Sequence, residues 1–148
     1  MLHYVIGGTL LTYITSNILN SLVLSTVDTM YSGVSYVRHG TESNKAIINV
    51  RKEIAKLDIK VKLELVKTLM EKLPQNDITK VIETGLIELM YNIKNVVDGI
   101  DYLIVKHKER WFAGYRSISF DEKIEELKNL IVVLDGRINL LMNVGKTS

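Results

Sequence analysis

The stretch 77-DITKVIETGLIELMYNIKNVVDGIDYL-103 decides the fold class of this chain of 148 residues. Its apolar residues recur at steps of three and four, which is the period of one face of an α-helix. Asn76 or Asp77 is the expected N-cap, since either side chain can accept from a free backbone N–H group. The pattern predicts a long amphipathic helix over residues 77–108. The apolar stripe consists of Ile78, Ile82, Leu86, Leu89, Ile93, Val96, Ile100 and Leu103.

A second apolar stripe precedes this helix and predicts a helix over residues 43–73. Thr41 or Ser43 is placed to cap its start, and Pro74 ends it because proline disfavours α conformation at the residue before it. We expect one continuous seam along the helix, widened in its second half by Ile59, Leu63, Val66 and Met70. The seam consists of Ile47, Val50, Ile54, Leu57, Val61, Leu65, Leu69 and Leu73.

A third helix is predicted over residues 119–143, where Ser119 and Glu122 form a capping box. Three amphipathic helices joined by short links bury their stripes by folding back on each other. The sequence therefore predicts an all-α protein, an antiparallel helical bundle of three long amphipathic helices plus an N-terminal hydrophobic helix. The expected core residues are Ile54, Leu57, Leu65, Leu89, Ile93, Val96, Leu127, Ile131 and Leu134.

The first 27 residues contain no Lys, Arg, Asp or Glu. The run at residues 5–27 is long enough to cross a bilayer, and basic residues follow it but do not precede it. We therefore divide the chain into a hydrophobic segment, residues 1–40, and a helical bundle, residues 41–148, on the cytoplasmic or interior side of a membrane. A fourth helix of a soluble bundle, or β-structure, is the alternative. The predicted anchor residues are Tyr4, Leu10, Leu11, Ile14, Ile18, Leu22 and Tyr31.

A basic and aromatic stretch between the last two helices is the predicted partner-binding site. Arg, Trp and Tyr dominate protein interfaces because they combine a large rigid area with a polar group. The alternatives are that Trp111 and Phe112 close the end of the bundle, or that the stretch contacts lipid headgroups or nucleic acid. The stretch comprises Lys106, His107, Lys108, Arg110, Trp111, Phe112, Tyr115 and Arg116.

The sequence predicts no catalytic residue, metal site or cofactor. It contains no Cys, and its three His residues have no metal-ligand spacing around them. Asp98 and Asp101 share a helix face, but solvation of that face explains two carboxylates without acid–base chemistry. A net charge of +2 gives no overall field for binding nucleic acid. We therefore predict that the protein is not an enzyme.

The C-terminal part carries an aromatic and basic turn followed by a helix with a Leu-Asp-x-Arg element. The residues concerned are His107-Lys108, Trp111-Phe112, Tyr115-Arg116 and the run from Leu134 to Arg137. This pattern resembles the C-terminal part of small uncharacterised structural proteins of large DNA viruses. The resemblance implies a virion component, either a minor capsid protein or a membrane-associated protein, and it implies no catalytic residue.

These observations predict a non-enzymatic helical structural or interaction protein, anchored in a membrane as a minor component of a larger assembly such as a virus particle. The expected partners are other protein subunits of the assembly and a lipid bilayer. Neither nucleic acid nor a small molecule is an expected ligand. The alternative is a soluble four-helix small subunit of a nucleic-acid-binding complex.

Overall fold

The computed structural model describes residues 7–29, 45–109 and 119–147. These residues form only α-helices and short connections, and no strand occurs within the described ranges, so the predicted all-α class is confirmed. The boundary at residue 40 between the two predicted domains lies outside the described residues. The helices are α1 (Gly7–Thr29), α2 (Lys45–Lys56), α3 (Ile59–Lys72), α4 (Asp77–Glu109) and α5 (Asp121–Thr147).

The ends of α3 and the starts of α4 and α5 follow from local sequence. Leu73 adopts extended backbone angles before Pro74, which ends α3 where the sequence predicts. At the start of α4, the Thr79 N–H donates to Asn76 Oδ1 at 3.0 Å, and the Asn76 N–H donates to Thr79 Oγ1 at 2.9 Å. At the start of α5, the Asp121 N–H donates to Ser119 Oγ at 3.4 Å. These side chains satisfy N–H groups that lack helical partners.

The predicted continuous helix over residues 43–73 is wrong, because α2 ends at Lys56 and α3 begins at Ile59. Asp58 lies between them in the left-handed region, with φ of 53° and ψ of 39°. The last turn of α2 tightens before it, since the Leu57 N–H donates to the Ile54 carbonyl three residues back at 3.1 Å. Asp is one of the few residues other than Gly that enter this region at modest cost.

The break changes which side of α3 is buried. The predicted seam ran through Val61 and Leu65, but Val61 is 55% exposed and Leu65 is 39% exposed, so Leu65 is wrong as a core residue. Leu57 is only partly buried. A left-handed residue rotates the next helix relative to the last, so the 3.6-residue period of α2 does not extend through α3. The buried residues of α3 are instead the four that were predicted to widen the seam, namely Ile59, Leu63, Val66 and Met70.

The left-handed conformation of Asp58 leads to a stability prediction. Asp58→Gly is expected to leave the free energy of unfolding unchanged or to raise it by up to about 1 kcal/mol, because Gly adopts positive φ freely. Asp58→Val is expected to lower it by about 1–2 kcal/mol through the clash of a β-branched side chain. Urea denaturation followed by circular dichroism measures both. Ala55→Val, at an exposed helical position, is the control for β-branching alone.

One continuous core cluster includes buried side chains from all five helices of the described residues. The remaining predicted core residues are confirmed as buried. The long helix α4 packs against both α1 and α5, while α3 packs against α5 and α1, and α2 makes a smaller contact with α5. The confirmed core residues are Ile54, Leu89, Ile93, Val96, Leu127, Ile131 and Leu134.

Two glycines in α4 lie opposite basic side chains of α5. A Cβ at Gly85 would lie 2.6 Å from Nη1 of Arg137, so the missing side chain makes room for the guanidinium. A Cβ at Gly99 would lie 3.7 Å from Cε of Lys123, which is an ordinary contact. Gly85 comes before Gly99 along α4, whereas Arg137 comes after Lys123 along α5, so the two contacts occur in reverse order along the two helices. Gly85 therefore permits a close approach between α4 and a charged side chain of α5.

Candidate partner-binding surface

The predicted partner-binding stretch is only partly within the described residues. Lys106 is exposed at the end of α4, with its Nζ 5.8 Å from the centroid of the Tyr102 ring, a cation–π distance. His107 is buried, with 5% of its surface exposed, so its ring does not lie on an accessible surface. Lys108 belongs to α4, but its side chain is not described. The residues outside the described ranges are Arg110, Trp111, Phe112, Tyr115 and Arg116.

The predicted membrane anchor is also described in part. Tyr4 and Tyr31 lie outside the described residues, and α1 includes Leu10, Leu11 and Ile14 without a description of their side chains. Ile18 is partly exposed, whereas Leu22 is buried in the core cluster together with Leu19 and Val23. Among the helices of the described residues, none has both the length and the apolar character needed to cross a membrane.

A groove of about 740 Å³ lies between α2 and the start of α5, and we call it the α2–α5 groove. It forms where these two helices make only a small contact with each other. The buried apolar side chains at the groove are Val50, Phe120 and Ile124. Its charged residues are Lys52, Glu53, Lys56, Asp121, Glu125 and Lys128, and Ala46, Asn49 and Ser119 complete the lining.

Glu53 is the centre of the charged network in this groove. Its carboxylate pairs with Lys56 on its own helix at 3.1 Å and with Lys128 of α5 at 3.2 Å. Hydrogen bonds from these two lysines hold the pKa of Glu53 below its ordinary value. The second pair joins the two walls of the groove. Exposed pairs of this kind contribute little to stability, so Glu53 acts mainly on the charge pattern of the surface.

A second polar cluster joins α2 and α4. Partial burial, followed by repulsion from the Asp98 carboxylate, raises the pKa of Asp101, and the positive charge of Arg51 opposes this shift. Arg51 is buried on α2, although most arginines remain exposed. Asp98 forms an ion pair with Lys94 one turn earlier. These contacts form a structural cluster of charged residues. The cluster explains why Asp98 and Asp101 lie on the same face of α4.

The raised pKa of Asp101 gives a pH prediction. A carboxyl whose pKa is raised by folding binds its proton more tightly in the folded state, so it costs stability once the pH exceeds its unfolded pKa of about 3.9. Asp101→Asn removes that cost. Relative to wild type, the variant is therefore expected to gain stability as the pH rises from about 3 to 7. Glu53→Gln is the control. Because the pKa of Glu53 is lowered, this variant is expected to lose stability relative to wild type over the same rise in pH. Thermal unfolding at several pH values measures both.

Glu83 is a buried charged residue that the sequence pattern did not single out. It lies on α4 with 1% of its surface exposed, two residues before Gly85. Every buried side-chain nitrogen and oxygen of the described residues has a hydrogen-bond partner, so the buried Glu83 carboxylate is not left unsatisfied. Within the same part of the chain, no three His, Asp or Glu side chains lie together as a metal-ligand set. The only sequence signal for the burial of Glu83 was its position between two apolar residues, Ile82 and Leu86.

No known protein family matches this chain, and no curated protein or solved structure is similar to it. The resemblance to viral structural proteins, and the role that it implies, therefore stay predictions.

Proposed function

We propose that this protein is a non-enzymatic helical interaction protein that binds another protein subunit in the α2–α5 groove, as a minor component of a larger assembly such as a virus particle. The composition of the groove carries this proposal. Buried Val50, Phe120 and Ile124 provide an apolar floor, and charged side chains of both signs surround it. An apolar centre with a polar rim is the usual form of a protein-binding surface.

The charge of the groove favours a protein partner over nucleic acid. Three lysines at the groove are balanced by three carboxylates, so its formal charge is zero. A nucleic-acid site needs an excess of positive charge, because affinity comes largely from phosphate neutralisation. A protein segment with apolar residues and charges of both signs matches the groove better. We therefore place the nucleic-acid-binding alternative second.

The position of the groove along the chain supports the same role. Ser119 and Phe120 line it, and Ser119 lies three residues after Arg116, the last residue of the predicted basic and aromatic stretch. We propose that this stretch also takes part in binding the partner, because Trp, Tyr and Arg are the usual anchors of protein interfaces. The buried His107 has a structural part in this arrangement and does not contact the partner.

Charge reversal on one wall of the groove tests the proposal. In tagged full-length protein, Lys52→Glu with Lys56→Glu is expected to lose a partner that co-purifies in stoichiometric amount with wild type. The matched control is Lys67→Glu with Lys72→Glu on α3, which changes the net charge equally outside the groove. Circular dichroism checks that both variants are folded. Equal partner recovery with both variants would contradict a role for the groove.

A salt titration separates the two classes of partner. Binding to nucleic acid falls steeply with salt and disappears when Lys106, Lys108, Arg110 and Arg116 are neutralised. A protein partner held by an apolar floor is expected to remain bound as salt rises. Strong, salt-sensitive binding to DNA or RNA by the full chain would favour the alternative function.

We also propose that the helices form an antiparallel bundle. The reversed order of the contacts between α4 and α5 supports this arrangement. The bilayer anchor predicted for residues 5–27 stays a prediction, and a fourth bundle helix is the competing proposal. The burial of Leu19, Leu22 and Val23 in the core cluster supports the fourth helix. The absence of charge over the first 27 residues supports the anchor.

Deletion of residues 1–36 distinguishes the two proposals for the N-terminal segment. If the segment is an anchor, the truncated protein unfolds cooperatively in aqueous buffer, and the full chain resists extraction from membranes by alkaline carbonate. If the segment is a fourth helix, the truncated protein loses its cooperative transition, because removing α1 exposes the core surface that it covers. The full chain then stays in solution without detergent.

A further inference from the structure

The outward side of α5 is unusually poor in charge over its C-terminal half. Between Lys128 and Lys146, the helix has only two charged residues, Asp135 and Arg137. Asp135 forms an ion pair with Lys62 of α3 at 2.9 Å, and the Arg137 guanidinium lies against Gly85 of α4. Both charges therefore contact neighbouring helices of the same chain, and the outward side has none.

Exposed apolar side chains occupy that uncharged side. Val132 is 69% exposed, and Val133 and Leu140 are also exposed. Gly136 lies between them, and a Cβ built on it would meet no atom of the residues that the structure describes within 4 Å. We define the outer stripe as five exposed residues at steps of four and three, which lie along one side of a helix. They are Asn129, Val133, Gly136, Leu140 and Asn143.

We infer that a second copy of this chain binds the outer stripe, with the two α5 helices antiparallel about a two-fold axis at Gly136. The stripe has the same order of residue types in both directions, namely polar, apolar, glycine, apolar and polar. A two-fold axis at its centre places Val133 near Leu140 of the second copy. It also places Asn129 near Asn143. Such a self-matching surface is what a symmetric dimer requires.

The glycine at the centre has a physical part in this contact. Gly136 is fully within α5, where Gly is less favourable than Ala. Among the described residues, no neighbouring atom requires the missing side chain. A glycine on the outside of a helix lets the backbone of another helix approach closely, and the flanking valine and leucine side chains then pack beside it. The cost in helix propensity is offset when the second copy is bound.

The charges at the two ends of α5 select the antiparallel orientation. Glu125 lies eleven residues before Gly136, and Lys146 lies ten residues after it, and both are exposed. The two-fold arrangement brings each Glu125 near Lys146 of the second copy. A parallel arrangement would instead bring Glu125 near Glu125 and Lys146 near Lys146. Opposite charges across an interface favour one register and disfavour others.

The contact is small, so the dimer is expected to be weak. The stretch from Glu125 to Lys146 is about 30 Å long at the rise of an α-helix, and one helix side makes a smaller interface than a standard protein complex. We therefore expect a dissociation constant on the order of micromolar. This dimer goes beyond the proposed partner groove, because no residue of the outer stripe lines the groove, although Glu125 at one end of the contact lines it as well.

Sedimentation of the full chain over a range of concentrations tests the dimer. Wild type is expected to shift from monomer to dimer, and Gly136→Glu is expected to weaken dimerisation at least about tenfold by placing two like charges at the axis. The open space around Gly136 lets this variant keep its fold. Val81→Glu, at a position of α4 that is 73% exposed, is the matched control. A monomeric wild type at the highest concentration, or a dimer unaffected by Gly136→Glu, overturns the inference.

Charge exchange and disulfide trapping test the orientation. Glu125→Lys and Lys146→Glu are each expected to weaken the dimer, and the double variant is expected to restore it. Because the chain has no Cys, Asn129→Cys mixed with Asn143→Cys is expected to form a mixed disulfide on oxidation. Thr84→Cys, exposed on α4, is the control for random cross-linking. The antiparallel arrangement is overturned if the double variant does not dimerise as strongly as wild type. It is also overturned if a disulfide forms between two Asn129→Cys chains.

Discussion

Replacing Ile93 by Asp is expected to unfold this protein under conditions in which wild type is fully folded. Ile93 lies on α4 and is completely buried within the core cluster. An unpaired carboxylate in that position loses its hydration without gaining a partner, at a cost of about 4 kcal/mol or more. Domains of this size have a total stability of only about 5–15 kcal/mol. Urea denaturation followed by circular dichroism measures the loss.

Val81→Asp is the matched control on the same helix. Val81 is mostly exposed, so its carboxylate stays hydrated and the expected loss is within about 1 kcal/mol. The difference between the two variants therefore measures burial and not the effect of Asp on helix propensity. Similar losses at both positions would show that α4 is not packed on two sides as described.

The second large effect is expected at Leu63. Leu63→Ala should lower the free energy of unfolding by about 2–5 kcal/mol, because it removes a completely buried side chain and leaves a cavity. Leu65→Ala on the same helix should lower it by about 1 kcal/mol or less, since Leu65 is already partly in water. The two variants make the same chemical change two residues apart, and chemical denaturation measures both.

This pair of substitutions is a direct test of the break at Asp58. A continuous helix over residues 43–73 would bury Leu65 and would leave Leu63 nearer the edge of the packed face. The structure instead ends α2 before Asp58 and buries Leu63. A larger loss at Leu65 than at Leu63 would contradict the break and restore the continuous seam.

The candidate site was predictable only in part. The region between the last two helices is rich in interface residue types, and its role in binding stays a prediction, but the sequence assigned His107 to a surface and the structure buries it. The α2–α5 groove was not predicted, because its walls come from residues that are far apart in the chain. The helix start at Ser119 and Phe120 was predicted, because it is a local signal. Their position in a groove could not be predicted, because it depends on where α2 lies.

The sequence by itself determined the all-α class, the ends of the helices near Pro74 and Asn76, and most of the buried face of α4 and α5. These features depend on local periodicity and on caps that involve residues three or four apart. Only the tertiary structure decided that Val61 and Leu65 of α3 are exposed and that Leu22, His107 and Glu83 are buried. One left-handed residue rotates a whole helix, and a polar side chain can be buried when distant residues supply its hydrogen bonds. The change in α3 shows in the sequence only as a second apolar row, and the burial of a polar side chain gives no periodic signal.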